Sequence, residues 1–502
     1  MVSWLLGIVL AYFLLLLLVA YKTSRHSSNE TFFIGNRSSN WMLVAFGMIG
    51  TSLSGVTFIS VPGTVGNYAG GSSPQAFTYF QVVLGYLIGY MVVAFVLLPL
   101  YYRLRLTSIY HYLRTRLGET SYKTGALFFI LSRTVGATAR LYLVINVLQI
   151  FLLDSLGVPF AVTTVIILGM ILLYTLEGGV KTIVWTDTLQ TTFMLLGLII
   201  GVIYIISHLH LDPGGVWAGL KAHGFTRVLN TDVKSPAFFG KQILGGAFIT
   251  IAMTGLDQEM MQKNISVRTL GDSQKNMITF SIVMVLVNGL FLLLGGLLYL
   301  YAFHNGGAYS DHILVMKGQP VAGDDLFPSL ALHSFSPAIA LIFIIGLISA
   351  LFPSADGALT ALTASFCIDL LGMQENTSLS EKQKKRTRMK VHLCFAVVFL
   401  LCILVFRWIN DKSIIKIILD LAGYTYGPLL GLFAFGIFTR RTLRFPNWVP
   451  LVCLMSPLLS YILSRASASW AGGYKIGIEL LIINGLLTFL GLWMISQKKT
   501  TV

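Results

Sequence analysis

The stretch GTSLSGVTFISVPG (residues 50–63) decides the fold. It lies inside an apolar run from Trp41 to about Val65, long enough to cross a hydrocarbon core of about 30 Å. Yet it carries Thr51, Ser52, Ser54, Thr57 and Ser60, together with Gly50, Gly55, Gly63 and Pro62. Proline and glycine in mid-membrane take backbone carbonyls out of the helix ladder, and lipid cannot satisfy them. A cavity, an ion or a polar ligand can. The bland alternative is a small-residue packing face whose hydroxyls bond back to their own helix. An isolated Ser or Thr favours that alternative. Hydroxyls, glycines and a proline crowded together favour a site.

The rest of the chain sets the same medium. Of 502 residues, 55% are hydrophobic and 11% charged, against about 25% charged in an ordinary soluble domain. Apolar runs of span length recur from end to end, and in lipid such runs must be helices. The chain reads as one all-α polytopic membrane unit, residues 1–502, with no soluble domain. Its net charge of +15 does not indicate nucleic acid, because the charges cluster at helix ends. Cys367, Cys394, Cys402 and Cys453 lie in apolar segments without metal-ligand spacing and read as core residues. The first apolar run, Trp4 to Tyr21, lacks a basic n-region and a cleavage site, so it reads as a spanning helix.

Thirteen spans are expected, at about 3–21, 42–66, 76–102, 121–154, 159–176, 183–208, 238–263, 275–304, 328–371, 390–408, 413–438, 446–464 and 476–495. The 121–154 and 328–371 segments exceed one crossing and should include turns or half-helices. Alternate loops are basic: one set holds Arg37, Arg103, Arg105, Arg114, Arg116, Arg440, Arg441, Arg444 and the run EKQKKRTRMK at 381–390. The positive-inside rule then puts the N-terminus outside and the C-terminus inside, as an odd number of spans requires. The expected location is a cell membrane, bacterial inner or plasma.

Two more segments are interrupted. SALFPSADGALTALTASFCIDLL, from Ser349, carries Pro353, Ser354, Asp356 and Gly357 in a long apolar helix. LGGAFITIAMTGLDQEMMQKN, from Leu244, has a Gly-Gly pair before a polar end. Interrupted helices in corresponding positions of two inverted repeats mark a midplane site. The 42–66 and 238–263 spans lie five helices apart, which suits a five-plus-five repeat.

The motifs resemble those of the sodium/solute symporter family. FFIGNRSSNW (32–41) is similar to its G-G-R-S loop, with Asn36 for the second glycine. YTLEGGVKTIVWTDTLQ (174–190) resembles its Y-T-x-x-G-G-x-x-A-V-x-W-T-D-x-x-Q run. GLDQEMMQK (255–263) resembles D-Q-x-x-x-Q-R, with Lys263 for arginine. PSADGALTALTASFCIDLL (353–371) resembles S-T-A-D-S-x-L-x-x-x-S-S-x-x-x-x-D-L, and TSIYHYLRTRLG (107–118) and GYTYGPLLGLFAFGIFTRR (423–441) resemble two further family segments. These fall in order over nearly the whole chain. The resemblance implies the fold of the bacterial leucine transporter: an extra helix (3–21), a first repeat (42–208), an inverted second repeat (238–438) and two C-terminal helices (446–495). It implies sodium-coupled symport of a small polar organic solute by alternating access, with sodium as coupling ion, no other cofactor, and a monomer as functional unit.

By resemblance, the principal sodium site maps onto the carbonyls of Gly50, Leu53 and Ala350 and onto Pro353 and Ser354. The family usually has a hydroxyl residue where Pro353 stands, so the site is altered and Ser354 carries its one hydroxyl. Some sialic-acid-type relatives have a further sodium site around the aspartate of the W-T-D motif, which is Asp187 here. With Asp356 in the neighbouring helix, it forms a candidate second cation site. Asp187 as a helix-end residue bonding nearby amides is the alternative. Glu177 and Asp369 read as structural.

The fourth span carries Arg133 and Arg140, seven apart and on one face. A buried arginine needs a partner, and its planar fork suits a carboxylate. In sialic acid carriers an arginine of this helix holds the substrate carboxylate, which would be Arg140. Alternatively Arg133 snorkels to an interface and Arg140 pairs with an internal acid such as Asp356. Ser52, Ser54 and Thr57 are left for the substrate. Gln75 is a further polar candidate, and Phe248, Thr250 and Met253 are candidates for a wall that completes a lining suited to a sugar, polyol or organic anion. A non-transporting sensor on the same fold is the alternative function, disfavoured because no signalling segment follows the last span. An enzyme is disfavoured because no nucleophile–base pair or metal-spaced His or Cys set is present.

Overall fold

The computed structural model describes residues 2–24, 29–68, 73–233, 235–321, 323–376, 378–409, 414–470 and 476–498. Helices dominate it. Among the described residues seven are long and apolar enough to cross a membrane, or nine if each of two bent pairs is one span. Four shorter apolar helices accompany them: Gly7–Thr23, Phe160–Leu176, Gly427–Phe438 and Leu480–Met494. Leu131, Leu173, Ile203, Leu286 and Leu401 are each more than half exposed. A belt of bare aliphatic side chains around a helical body is what lipid contact requires. The chain is a multi-pass membrane protein.

The two long expected segments resolve as anticipated. Glu119–Leu148 runs on through a π-helical turn at Gln149–Leu153 into a short 3-10 turn at Asp154–Leu156. The other segment splits into Gly323–His333 and Pro337–Ser365, the latter again ending in a π turn. Phe160–His208 is divided at Gly179, where φ is 56° and ψ −153°. Only glycine adopts that backbone readily. A Cβ there would also fall 2.3 Å from the Cα of Phe32. Two features were not foreseen. The loop at 308–321 forms a three-stranded antiparallel meander, Ala308–Ser310, Ile313–Met316 and Gln319–Val321. Cys394 is exposed and Cys402 half-buried, so only Cys367 and Cys453 are core residues.

Helices approach closely through small residues. A Cβ on Gly85 would fall 2.1 Å from the Ile243 carbonyl oxygen, and one on Gly246 would fall 2.3 Å from that of Val82. This backbone-to-backbone contact seats the Phe239–Thr250 half-helix along Phe80–Val92. On the other side, Pro337–Ser365 packs along Phe160–His208. The segment 50–63 is buried among these helices, with Phe58 and Ile59 fully enclosed.

Candidate functional site

The first bent pair is Trp41–Ser52 and Gly55–Thr64, bent by 57°. Asn40 starts it by accepting a hydrogen bond from Met42 N–H at 2.8 Å. The ladder of the first half ends where Leu53 N–H donates to Ile49 O at 2.7 Å, and the second half begins where Phe58 N–H donates to Ser54 O at 3.2 Å. The carbonyls of residues 50–53 therefore fall in the gap between two ladders. Gly55 permits the bend, since a Cβ there would fall 2.1 Å from Val144 Cγ2.

Pro353 faces this gap. A Cβ on Gly50 would sit 3.5 Å from Pro353 Cγ and 2.3 Å from Thr191 Oγ1. Ala350, Ser354 and Leu53 are also buried, and Ser354 Oγ donates to Leu351 O at 3.1 Å. Gly50 and Pro353, expected to share a sodium site, are thus brought together. Asp187 lies one turn before Thr191. Its Oδ2 accepts from Lys263 Nζ at 2.6 Å and from Thr51 Oγ1 at 3.1 Å. Lys263 Nζ also donates to Thr51 Oγ1 at 2.6 Å and lies 3.6 Å from Glu259 Oε1. Glu259 pairs closely with Arg133, which lies 3.8 Å from Asp257. Asp356 is bonded to Tyr174 Oη at 2.9 Å and to the N–H of Gly357 at 2.5 Å.

Two of the alternatives weighed from sequence end here. Arg133 is 3% exposed and ion-paired, not at an interface. The acid it meets is Glu259, so the two conditions that a buried charge imposes, a counter-charge and a hydrogen bond, are both met. Asp356 is bonded to Tyr174 and its own backbone, and Arg140 makes no ion pair with it or with any other acid among the described residues. Asp369 is structural in its contacts, accepting from Tyr122 Oη at 2.9 Å and Ser365 Oγ at 2.6 Å. The side chain of Glu177 lies outside the described residues.

A cavity of about 110 Å³ opens beside the break. Of the expected substrate residues, Ser52, Ser54, Thr57, Arg140, Thr250 and Met253 line it. Gln75 and Phe248 do not; the Gln75 backbone is bonded into the turn at 67–78. The reading from sequence missed Tyr79, Tyr86 and Tyr90, which give the cavity an aromatic wall, and Met260 and Met284. It also missed Glu259 and Lys263 as charged groups of the centre. Their i, i+4 spacing on a polar helix end was the available signal.

The second bent pair, Phe239–Gly255 and Gln258–Ile265, bends by 65°. Asp257 caps its second half, accepting from Glu259 N–H at 2.9 Å and Met260 N–H at 3.3 Å. Here the protein fills its own gap: Tyr101 Oη donates to Gly255 O at 2.8 Å, and Tyr110 Oη to Leu256 O at 2.9 Å.

A helical membrane body with two broken helices, one gap facing a polar cavity and the other self-sealed, is the architecture of a solute carrier. The chain belongs to the sodium:solute symporter family, whose model matches residues 32–444. It is 22% identical over 451 residues to the sodium/sialic acid symporter SiaT of Proteus mirabilis, covering 87% of this chain and 84% of that one. It is 24% identical to the human sodium-coupled monocarboxylate transporter 1, covering 90% and 70%. A solved Na+-coupled sialic acid symporter in a substrate-bound outward-open state shares its fold, with a TM-score of 0.80 at 19% identity over 98% of this chain and 97% of that one. The activity is sodium-coupled solute symport, with sodium as the coupling ion.

Proposed function

We propose that the co-transported solute is a small organic anion whose carboxylate is held by Arg140. One observation carries this: Arg140 lines the cavity and no acid among the described residues pairs with it. A guanidinium in such a place is best balanced by a carboxylate brought by the solute, which its planar fork can hold bidentately. Ser54, Thr57 and Thr250 take the other polar atoms, while Met253 and the tyrosines pack against the carbon skeleton. Sodium binds at Gly50, Leu53, Ala350, Pro353 and Ser354, where a hard cation finds carbonyl and hydroxyl oxygens. A second cation at Asp187 and Asp356 would have to displace the Lys263 ammonium.

The chain crosses the membrane thirteen times, N-terminus outside, as two inverted repeats (42–208 and 238–438). The matching positions of the two bent pairs, and the four shorter apolar helices counted as spans, support this. It works as a monomer in a cell membrane.

The test is uptake into proteoliposomes under a sodium gradient, with sialic acid, short monocarboxylates, amino acids and neutral sugars as solutes. Wild type should take up an anion from this panel and not a neutral sugar. Arg140→Lys keeps the charge and loses the fork, so the half-saturating solute concentration should rise about tenfold or more, with sodium half-saturation changed far less. A neutral sugar carried equally well by wild type and Arg140→Gln would end the carboxylate reading. Equal uptake in sodium-free potassium buffer would end the coupling reading.

A further inference from the structure

We infer that Thr191 is a ligand of the sodium site, supplying from the Gly178–His208 helix the hydroxyl that Pro353 lacks. The inference rests on the sodium site proposed above and adds a residue that neither sequence motif nor family resemblance assigns.

Buried threonines in a helix ordinarily donate back to the carbonyl four residues earlier. On this same helical run the buried Thr164, Thr175 and Thr186, the half-buried Thr188 and the exposed Thr192 do so, at 2.7–3.2 Å, and the buried Thr163 donates instead to Gln149 Oε1 at 2.6 Å. Thr191 does neither. Its side chain is fully buried, and its Oγ1 has no hydrogen-bond partner. A buried hydroxyl left unbonded costs about 1–3 kcal/mol, so a ligand that engages it removes a standing penalty.

The hydroxyl is turned toward the gap in the first broken helix. It lies 2.3 Å from where a Gly50 Cβ would be, and that same point is 3.5 Å from Pro353 Cγ. Thr191 therefore converges with Gly50 and Pro353, two members of the expected site, from a third helix. Proline at 353 removes a side-chain oxygen from that site, and a hard cation requires oxygen ligands. Thr191 offers a neutral hydroxyl oxygen in compensation, one helical turn from the carboxylate of Asp187, whose charge adds to the pull on a cation.

The experiment is equilibrium binding of radioactive sodium to the purified full-length protein without solute, with choline as the replacing cation. Thr191→Val, which keeps the shape and removes the oxygen, should raise the sodium half-saturation about tenfold. Thr191→Ser, which keeps the oxygen, should stay within about twofold. Adding Pro353→Ser to Thr191→Val should recover most of the lost affinity, an effect that a purely structural role of Thr191 would not produce. Thr191→Ala removes the same oxygen without the added methyl, so a folding fault in Thr191→Val leaves the question answerable. Wild-type sodium affinity in Thr191→Val or Thr191→Ala would overturn the assignment, as would equal weakening by Thr191→Ser. Absence of saturable sodium binding in the wild type would overturn the sodium site itself, and Thr191 with it.

Discussion

Gly357 owes its identity to Glu259. A Cβ at 357 would fall 2.2 Å from Glu259 Oε1, and the family motif that this segment resembles has a serine there. A carboxylate end ordinarily swings aside, but this one is pinned by Arg133 and lies 3.6 Å from Lys263. Moving it breaks a buried ion pair. Gly357→Ala should therefore cost about 1–3 kcal/mol, as overpacking does. Glu259→Gln, which leaves Arg133 with an uncharged partner, should cost about 3–5 kcal/mol. Thermal unfolding in detergent reads both. A wild-type melting temperature for Gly357→Ala would mean the Glu259 carboxylate has room to move.

At the scale of elements, the two broken helices are alike in bend and unlike in use. The first leaves its carbonyls at 50–53 in a gap between ladders, facing Pro353 and the cavity. The second has its gap sealed by Tyr101 and Tyr110. Tyr101→Phe and Tyr110→Phe should each lower stability by about 1–2 kcal/mol, the cost of an orphaned buried carbonyl, while sodium binding stays at its wild-type affinity. Loss of sodium affinity in either variant would place an ion at the second break. From the letters alone the first break was plain, because Gly50, Gly55, Pro62 and Gly63 crowd one apolar run. That the chain holds several apolar helices of span length was visible for the same reason: lipid imposes length and composition. Partners were not. Nothing in the order of residues tells whether Lys263 turns toward Asp187 or toward water, since the two are 76 positions apart and meet only through packing. The interface alternative for Arg133 could not be settled from sequence because its acid, Glu259, lies on another helix. Thr191 went unnoticed because it looks like the threonines around it until its missing back-bond is seen.

Over the whole molecule, one ionic chain ties distant helices together. Arg133 lies in Glu119–Leu148, Glu259 and Lys263 in Gln258–Ile265, and Asp187 in Phe160–His208. Thr51 joins it from the first broken helix. Any movement of these helices against one another must carry or break these bonds. If the ammonium holds Asp187 throughout the cycle, Asp187→Asn in an active variant should leave the charge moved per solute unchanged. Current and isotope flux measured together would read this, and a fall in the ratio would mean that sodium displaces Lys263.

The Lys263 ammonium against Asp187 has an energetic corollary for accumulation. A cation that is part of the chain never leaves the protein, so no gradient does work through it. Only ions released on the far side drive the solute uphill. With one sodium and one monovalent anion crossing together, the cargo is neutral. The membrane voltage, worth about 2.3 kcal/mol per charge for each 100 mV, then drops out of the balance. Such a carrier concentrates its solute no further than the sodium ratio across the membrane, and at the same ratio in a depolarised cell as in a polarised one.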